Sequence, residues 1–173
     1  MKITITPEKE KDYEHIKKVN DLAFNQINEG QLVDKLRNTP CFVRELSLVA
    51  KYEDEIIGYA LFYPITIKKD SRTCDSLSLG PVSVLPKYQN KGIGSKLIKT
   101  GLEIARKLGF RPVIVIGHPE FYPRFAFEKA SKWRIVSPYP VPEGAFLAKE
   151  LVASGLEGCD GAAQYPVEFD ECV

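Results

Sequence analysis

Residues 2–6 alternate polar and apolar side chains, the pattern of a half-buried strand. The period then lengthens. Over 12–25, Ile16, Val19, Asn20, Ala23 and Phe24 recur at helical spacing, with Asp12 placed to cap them. A second, short helix is expected over 30–37, where Leu32, Val33 and Leu36 share a face and Pro40 follows. Residues 45–52 and 56–67 have β character and enclose the polar turn Glu53-Asp54-Glu55, so the pair reads as a hairpin. Residues 77–85 form a further strand.

The clearest helix is expected over 93–108. Ile93, Leu97, Ile98, Gly101, Leu102, Ala105 and Leu108 fall on one side, and Gly109 follows as a helix-stopping residue would. Residues 113–116 are wholly apolar, as in a strand covered on both faces. A short aromatic helix over 119–127, despite its internal Pro123, and strands over 133–136 and 145–152 complete the series. The order β-α-α-β-β-β-α-β-α-β-β describes an α/β fold around a mixed sheet. The strand–helix–strand unit of 77–116 is a crossover whose two strands run parallel. The exposed edge offered by 145–152 makes a homodimer an open possibility.

Composition narrows the function classes. The length of 173 residues fits one domain over 1–173, large enough to bury its core without a disulfide or metal staple. A formal net charge of +1 gives no global basic field, so neither nucleic acid nor an anionic membrane is an expected partner. No apolar run approaches the ~18 residues of a membrane span, and the first ten residues lack the apolar stretch of a secretory signal. A cytoplasmic protein with reduced thiols is expected. The four cysteines are scattered and the two histidines lie apart, so no metal site is expected.

Gln89-Asn90-Lys91-Gly92-Ile93-Gly94 joins the strand of 77–85 to the long helix. The glycines serve either a tight turn alone or a turn that must come close to a ligand. In the second case the free N–H groups of the helix's first turn, with Lys91 and Lys96 nearby, suit a pyrophosphate. The three-glycine dinucleotide fingerprint and the P-loop pattern are both missing. The preceding strand contains Gly80-Pro81, and proline within a strand marks an edge, a bulge or a place where two strands separate. A separation would expose backbone groups to an extended ligand.

These residues carry a resemblance. Gln89-x-x-Gly92-x-Gly94 between strand and amphipathic helix resembles the acyl-CoA signature of the GNAT superfamily of N-acetyltransferases. Leu79-Gly80-Pro81, together with Gly117-His118-Pro119-Glu120-Phe121-Tyr122-Pro123-Arg124-Phe125, is similar to the YhbS-like group of predicted acetyltransferases. The resemblance implies a mixed, mostly antiparallel sheet with a central parallel β-α-β crossover and helices on both faces. It implies acetyl-CoA as acetyl donor and a small-molecule or peptide amine as acceptor.

Residue by residue, it implies that backbone groups of Val82, Val84 and Leu85 serve the pantetheine arm and the thioester oxygen. Backbone amides of Gln89, Asn90, Lys91, Gly92, Ile93, Gly94 and Ser95 would hold the pyrophosphate. Tyr122 would protonate the departing thiolate. Ala126 departs from the family, which usually has glycine there.

Direct attack on a thioester needs a neutral amine, an aimed N–H donor and an acid for the thiolate. A tyrosine with pKa near ~10 can supply that acid, although Tyr122 also fits an aromatic core beside Phe121, Phe125 and Phe127. His118 and Glu120 are candidate bases or water holders, and His118 can instead be a hydrogen-bonded structural residue. Glu29 can hold a cationic acceptor or be a solvated carboxylate, and Asp75 has a weaker claim of the same kind. Lys68, Lys69 and Arg72 read as a solvated hairpin end. The other function class compatible with these residues is a non-catalytic acyl-CoA-binding sensor or interaction module.

Overall fold

The computed structural model describes residues 1–172. The chain begins with β1 (Ile3–Pro7), α1 (Tyr13–Phe24) and α2 (Asn28–Arg37). The hairpin strands follow as β2 (Ser47–Tyr52) and β3 (Glu55–Lys69), then β4 (Arg72–Val84), α3 (Ile93–Lys107) and β5 (Pro112–Ile116). Short β6 (Glu128–Lys129) and β7 (Ile135–Val136), then β8 (Phe146–Glu150) and β9 (Gly161–Gln164), close the series. One sheet runs β1-β2-β3-β4-β5-β8-β6, with β9 pairing β3 and β7.

The expected crossover is present: β4 and β5 are parallel, with α3 between them in sequence, and most other pairs are antiparallel. Helices cover both faces. Ile98, Leu102 and Ala105 of α3 share one apolar cluster with Phe62, Leu77, Leu79, Val113 and Val115. On the other face, Ile16 and Val19 of α1 and Leu32, Val33 and Leu36 of α2 pack with Ile57, Tyr59, Leu61 and Tyr63 of β3. Strand alternation explains the division, since even and odd positions of β3 point opposite ways. A buried ion pair ties α2 to the chain end of β1: Arg37 donates to both oxygens of the fully buried Glu8 at 2.8 and 3.0 Å.

Several expectations need correction. Residues 119–127 form only a 3-10 turn, Tyr122–Phe125, because Ala126 takes a left-handed conformation (φ 65°) and ends it. The strand expected over 133–136 is reduced to Ile135–Val136, preceded by a 3-10 turn over Ala130–Trp133. β8 is not an outer edge: β5 pairs along one side and β6 along part of the other. Asp12 stands at the N-cap position of α1 but its side chain makes no cap bond; its carboxylate accepts the Lys9 N–H at 2.9 Å and faces Lys51.

The thiols also differ from expectation. Cys74 and Cys159 form a disulfide with Cα atoms 5.3 Å apart, and Cys41 and Cys172 are free. β9 lies beside β3, which lies beside β4, and that brings residues 85 apart in sequence together. The basic hairpin end is likewise not simply solvated, since Lys69 and Arg72 both bond Asp160, at 2.7 and 3.4 Å. β6, β9 and the 3-10 segment Val167–Cys172 had no signal in the pattern.

Candidate active site

β4 and β5 are paired only from Leu77–Val113 to Leu79–Val115. Beyond that point β4 carries Gly80-Pro81, joined by a cis peptide bond, and continues to Val84 with β3 alone as partner. The register with β3 slips at the same place, between Ala60 and Phe62. The two central strands therefore separate, as proline in the strand suggested.

Backbone orientation along the separated part follows from one bond. The Leu85 N–H donates to Ile57 O at 2.8 Å, toward β3. By the alternation of an antiparallel ladder, Val84 and Val82 turn their N–H and C=O groups the other way, into the opening. The Val84 carbonyl fits this, accepting the Gln89 side-chain amide at 3.0 Å. Leu85 differs from the sequence expectation, because its carbonyl is also taken, by Tyr88 N–H at 2.8 Å.

The glycine turn stands at the mouth of that opening. Gly92 caps α3 at φ 79°, and a methyl group there would meet nothing within 4 Å. Its glycine answers to conformation, and the space beside it is open to a ligand. The N–H groups of Ile93, Gly94 and Ser95 have no intrahelical acceptor, as in the first turn of any helix. Gln89, Asn90, Lys91 and Gly92 are exposed, and the Lys91 ammonium stands 5.7 Å from the Tyr88 ring centre. Lys96 turns away and bonds the Ile3 carbonyl. Val84 faces the helix: a Cβ on Gly94 would lie 3.9 Å from Val84 Cγ2.

Tyr122 lies on the α3 face, 8% exposed, in the cluster of Leu79, Val115 and Leu102. Its ring meets Phe121 and Phe127 edge-on, at 5.1 and 5.8 Å between centres. Burial pushes its phenol up to about 12. The ring also lies against Gly117, at the end of β5, so closely that any β-carbon there would overlap it. Gly117 was not among the expected site residues, although it opens the Gly117–Phe125 run that carries the family resemblance and directly follows an apolar strand.

The remaining candidates lie on different elements. His118 and Glu120 are exposed on the loop after β5, and the His118 carbonyl accepts Phe121 N–H at 3.1 Å. Glu29 lies with α2 on the opposite face of the sheet. It is not a solvated carboxylate: it is 6% exposed and accepts the Gln26 amide at 2.6 and 2.9 Å. Asp75 is exposed near the start of β4, before the strands separate. No group of three or more metal-ligating side chains occurs among the described residues, and none of their helices is long and apolar enough to cross a membrane.

The profile of the acetyltransferase (GNAT) family matches residues 13–127. The uncharacterized N-acetyltransferase YjhQ of Escherichia coli K12 is 38% identical over 133 residues, 76% of this chain and 74% of the relative. The crystal structure of the GNAT family N-acetyltransferase YhbS from Escherichia coli, in complex with CoA, superposes with a TM-score of 0.91. It is 27% identical, covering 98% of this chain and 93% of that one. A GNAT family acetyltransferase from Brucella melitensis in complex with acetyl-CoA gives a TM-score of 0.78 at 30% identity, covering 98% and 99%.

Proposed function

Because this chain belongs to the acetyltransferase (GNAT) family, we propose that it transfers an acetyl group from acetyl-CoA directly to an amine. The observation that carries the proposal is the opening between β4 and β5 with the first turn of α3 at its mouth. The fit to acetyl-CoA is chemical. An extended amide-bearing arm matches the outward backbone of Val82 and the outward Val84 N–H, and a pyrophosphate matches the free amides of Ile93, Gly94 and Ser95. Two solved relatives hold CoA or acetyl-CoA, which supports the same ligand here. Bound acetyl-CoA would supply the activated acetyl thioester.

In this reading the chain's own groups divide the work. An outward N–H of the separated strand, at Val84, is the donor for the thioester oxygen as negative charge develops on it. The Gln89–Gly92 turn and the first turn of α3 hold the pyrophosphate. Tyr122 keeps its proton at neutral pH, and burial favours that protonated form; it then donates to the leaving thiolate. His118 and Glu120, at the end of β5, are the candidates to accept the amine's proton or to hold a water that does. Glu29 takes part in binding the acceptor.

The test is CoA release over a broad panel of amines and peptides, with wild type and Tyr122→Phe, beside acetyl-CoA-dependent melting. Acetyl-CoA should raise the melting temperature of both proteins, and Tyr122→Phe should lose about 10²-fold in kcat. A melting temperature indifferent to acetyl-CoA would rule the reading out. Binding without turnover across the panel would favour the non-catalytic sensor.

A further inference from the structure

The two sulfurs of the Cys74–Cys159 disulfide are unequally placed. Cys74 is half-buried near the start of β4, whereas Cys159 is 1% exposed. A cavity of about 410 Å³ opens beside the bond, and of the two cysteines Cys74 alone stands in its wall. The other walls are the α3–β5 connection, with Phe110 and Arg111, and the turn that carries Glu157 and Gly158. That turn is fixed to the connection, because Arg111 donates to the Ser154 carbonyl at 3.0 Å. The cavity is remote from the opening between β4 and β5, since Cys74 precedes Gly80 by about 20 Å of extended strand.

The cavity has the size of a small-molecule site and a charge of its own. Asp75 and Glu157 bring two carboxylates to its wall and Arg111 one guanidinium, a net charge of −1. Arg111 gives its hydrogen bond to the Ser154 carbonyl and to neither carboxylate. A small cation is therefore drawn in and a small anion repelled.

The bond is also arranged to break in one direction. A thiolate arriving through the cavity meets Cys74 Sγ, so Cys159 is the leaving sulfur. Burial disfavours a thiolate at Cys159 and favours the neutral thiol. The carbonyl oxygens of Gly155 and Glu157 lie 4.0 Å from Cys159 Sγ, within reach of the S–H that would form.

We propose that Cys74 is a site of thiol–disulfide exchange, opened by a low-molecular-weight aminothiol that enters this cavity with its ammonium group beside Asp75 and Glu157. The attacking thiol gives its proton to water, and its electron pair forms the new bond to Cys74 Sγ. The pair of the Cys74–Cys159 bond leaves on Cys159, which takes up a proton and becomes a thiol. A second aminothiol then attacks the mixed disulfide, releasing the symmetrical small disulfide and the Cys74 thiol. The exchange unties β4 from the segment that leads into β9. That strand keeps its pairing with Thr66–Lys68 and the ion pairs of Asp160 with Lys69 and Arg72. The site is independent of the acetyl-transfer reading.

The test compares cysteamine with mercaptopropionate, thiols of similar size and opposite charge. Each is mixed with the purified protein, quenched in acid and mapped by mass spectrometry. The adduct should sit on Cys74 and not on Cys159, and per thiolate cysteamine should react about fivefold faster, the size of a contact between unit charges in water. Asp75→Asn combined with Glu157→Gln should remove the difference while leaving the adduct on Cys74. In Cys159→Ser the Cys74 thiol stands alone, and cystamine should load it faster than dithiodipropionate does, so the result does not rest on the disulfide alone. An adduct on Cys159, equal rates for the two thiols, or a preference for cysteamine that survives removal of both carboxylates would overturn the proposal. So would a disulfide that neither thiol opens under conditions that reduce oxidised glutathione.

Discussion

The Tyr122 ring rests on the α-carbon of Gly117, with no room for a side chain between them. The residue that follows β5 thus fixes where the phenol sits. Gly117→Ala should displace the ring without touching the glycine turn. We expect kcat to fall about tenfold or more while acetyl-CoA still raises the melting temperature, because general-acid catalysis depends on reach. Unchanged kcat would mean that the position of Tyr122 is immaterial to the reaction.

The same burial makes Tyr122 a source of pH-dependent stability. Its folded pKa of about 12 lies above the unfolded value near ~10, so the folded state holds the proton more tightly. The contribution is complete below pH ~10 and is lost as pH rises through about 12. Urea unfolding at pH 8 and pH 11 should show wild type losing more stability than Tyr122→Phe, by on the order of 1–2 kcal/mol. Tyr165, also raised to about 12 by burial, stays in both proteins and cancels in the comparison.

Gly92→Ala separates conformation from contact. The position needs φ 79°, which costs an alanine about 1–2 kcal/mol, and no neighbouring atom would clash with the methyl group. Stability should drop by that amount. The KM for acetyl-CoA should rise about tenfold, since the methyl occupies space proposed for the pyrophosphate. A stability loss without a KM change would remove the turn from the binding site.

Ala126→Gly has the opposite sign. Ala126 sits at φ 65°, so the substitution removes a left-handed strain worth about 1 kcal/mol. The greater freedom of glycine in the unfolded chain offsets part of that gain. A rise of about one degree in melting temperature is expected, and a clear fall would show that the Cβ contributes packing.

The legible parts of the fold were those with strong periodicity. The α3 stripe, the β2–β3 hairpin and the apolar β5 follow from apolar spacing alone. The opening between β4 and β5 was announced by Gly80-Pro81, since proline removes a ladder donor. What escaped was short or assembled at long range. β9 reads Gly-Ala-Ala-Gln, too small and too even to alternate, and it is a strand only because β3 and β7 flank it. The Cys74–Cys159 pair depends on that same placement. In the candidate site, the turn and Tyr122 were visible as motifs. The burial of Glu29 was not, because it comes from a 3-10 segment at the far end of the sequence.

The placement of β9 has a consequence for how the chain is made. β3 has one long neighbour, β4, on one side; its other side is shared by β2 as far as Leu61 and β9 from Thr66 to Lys68. During synthesis β2, β3 and β4 leave the ribosome well before Gly161 does, and for that interval the Thr66–Lys68 edge has no cover. An open edge is a template along which nascent chains pair with one another. β9 acts as a late seal on a sheet already laid down, and a transcript or protease that stops the chain short of it would leave a protein with residues 77–127 complete and an adhesive strand exposed.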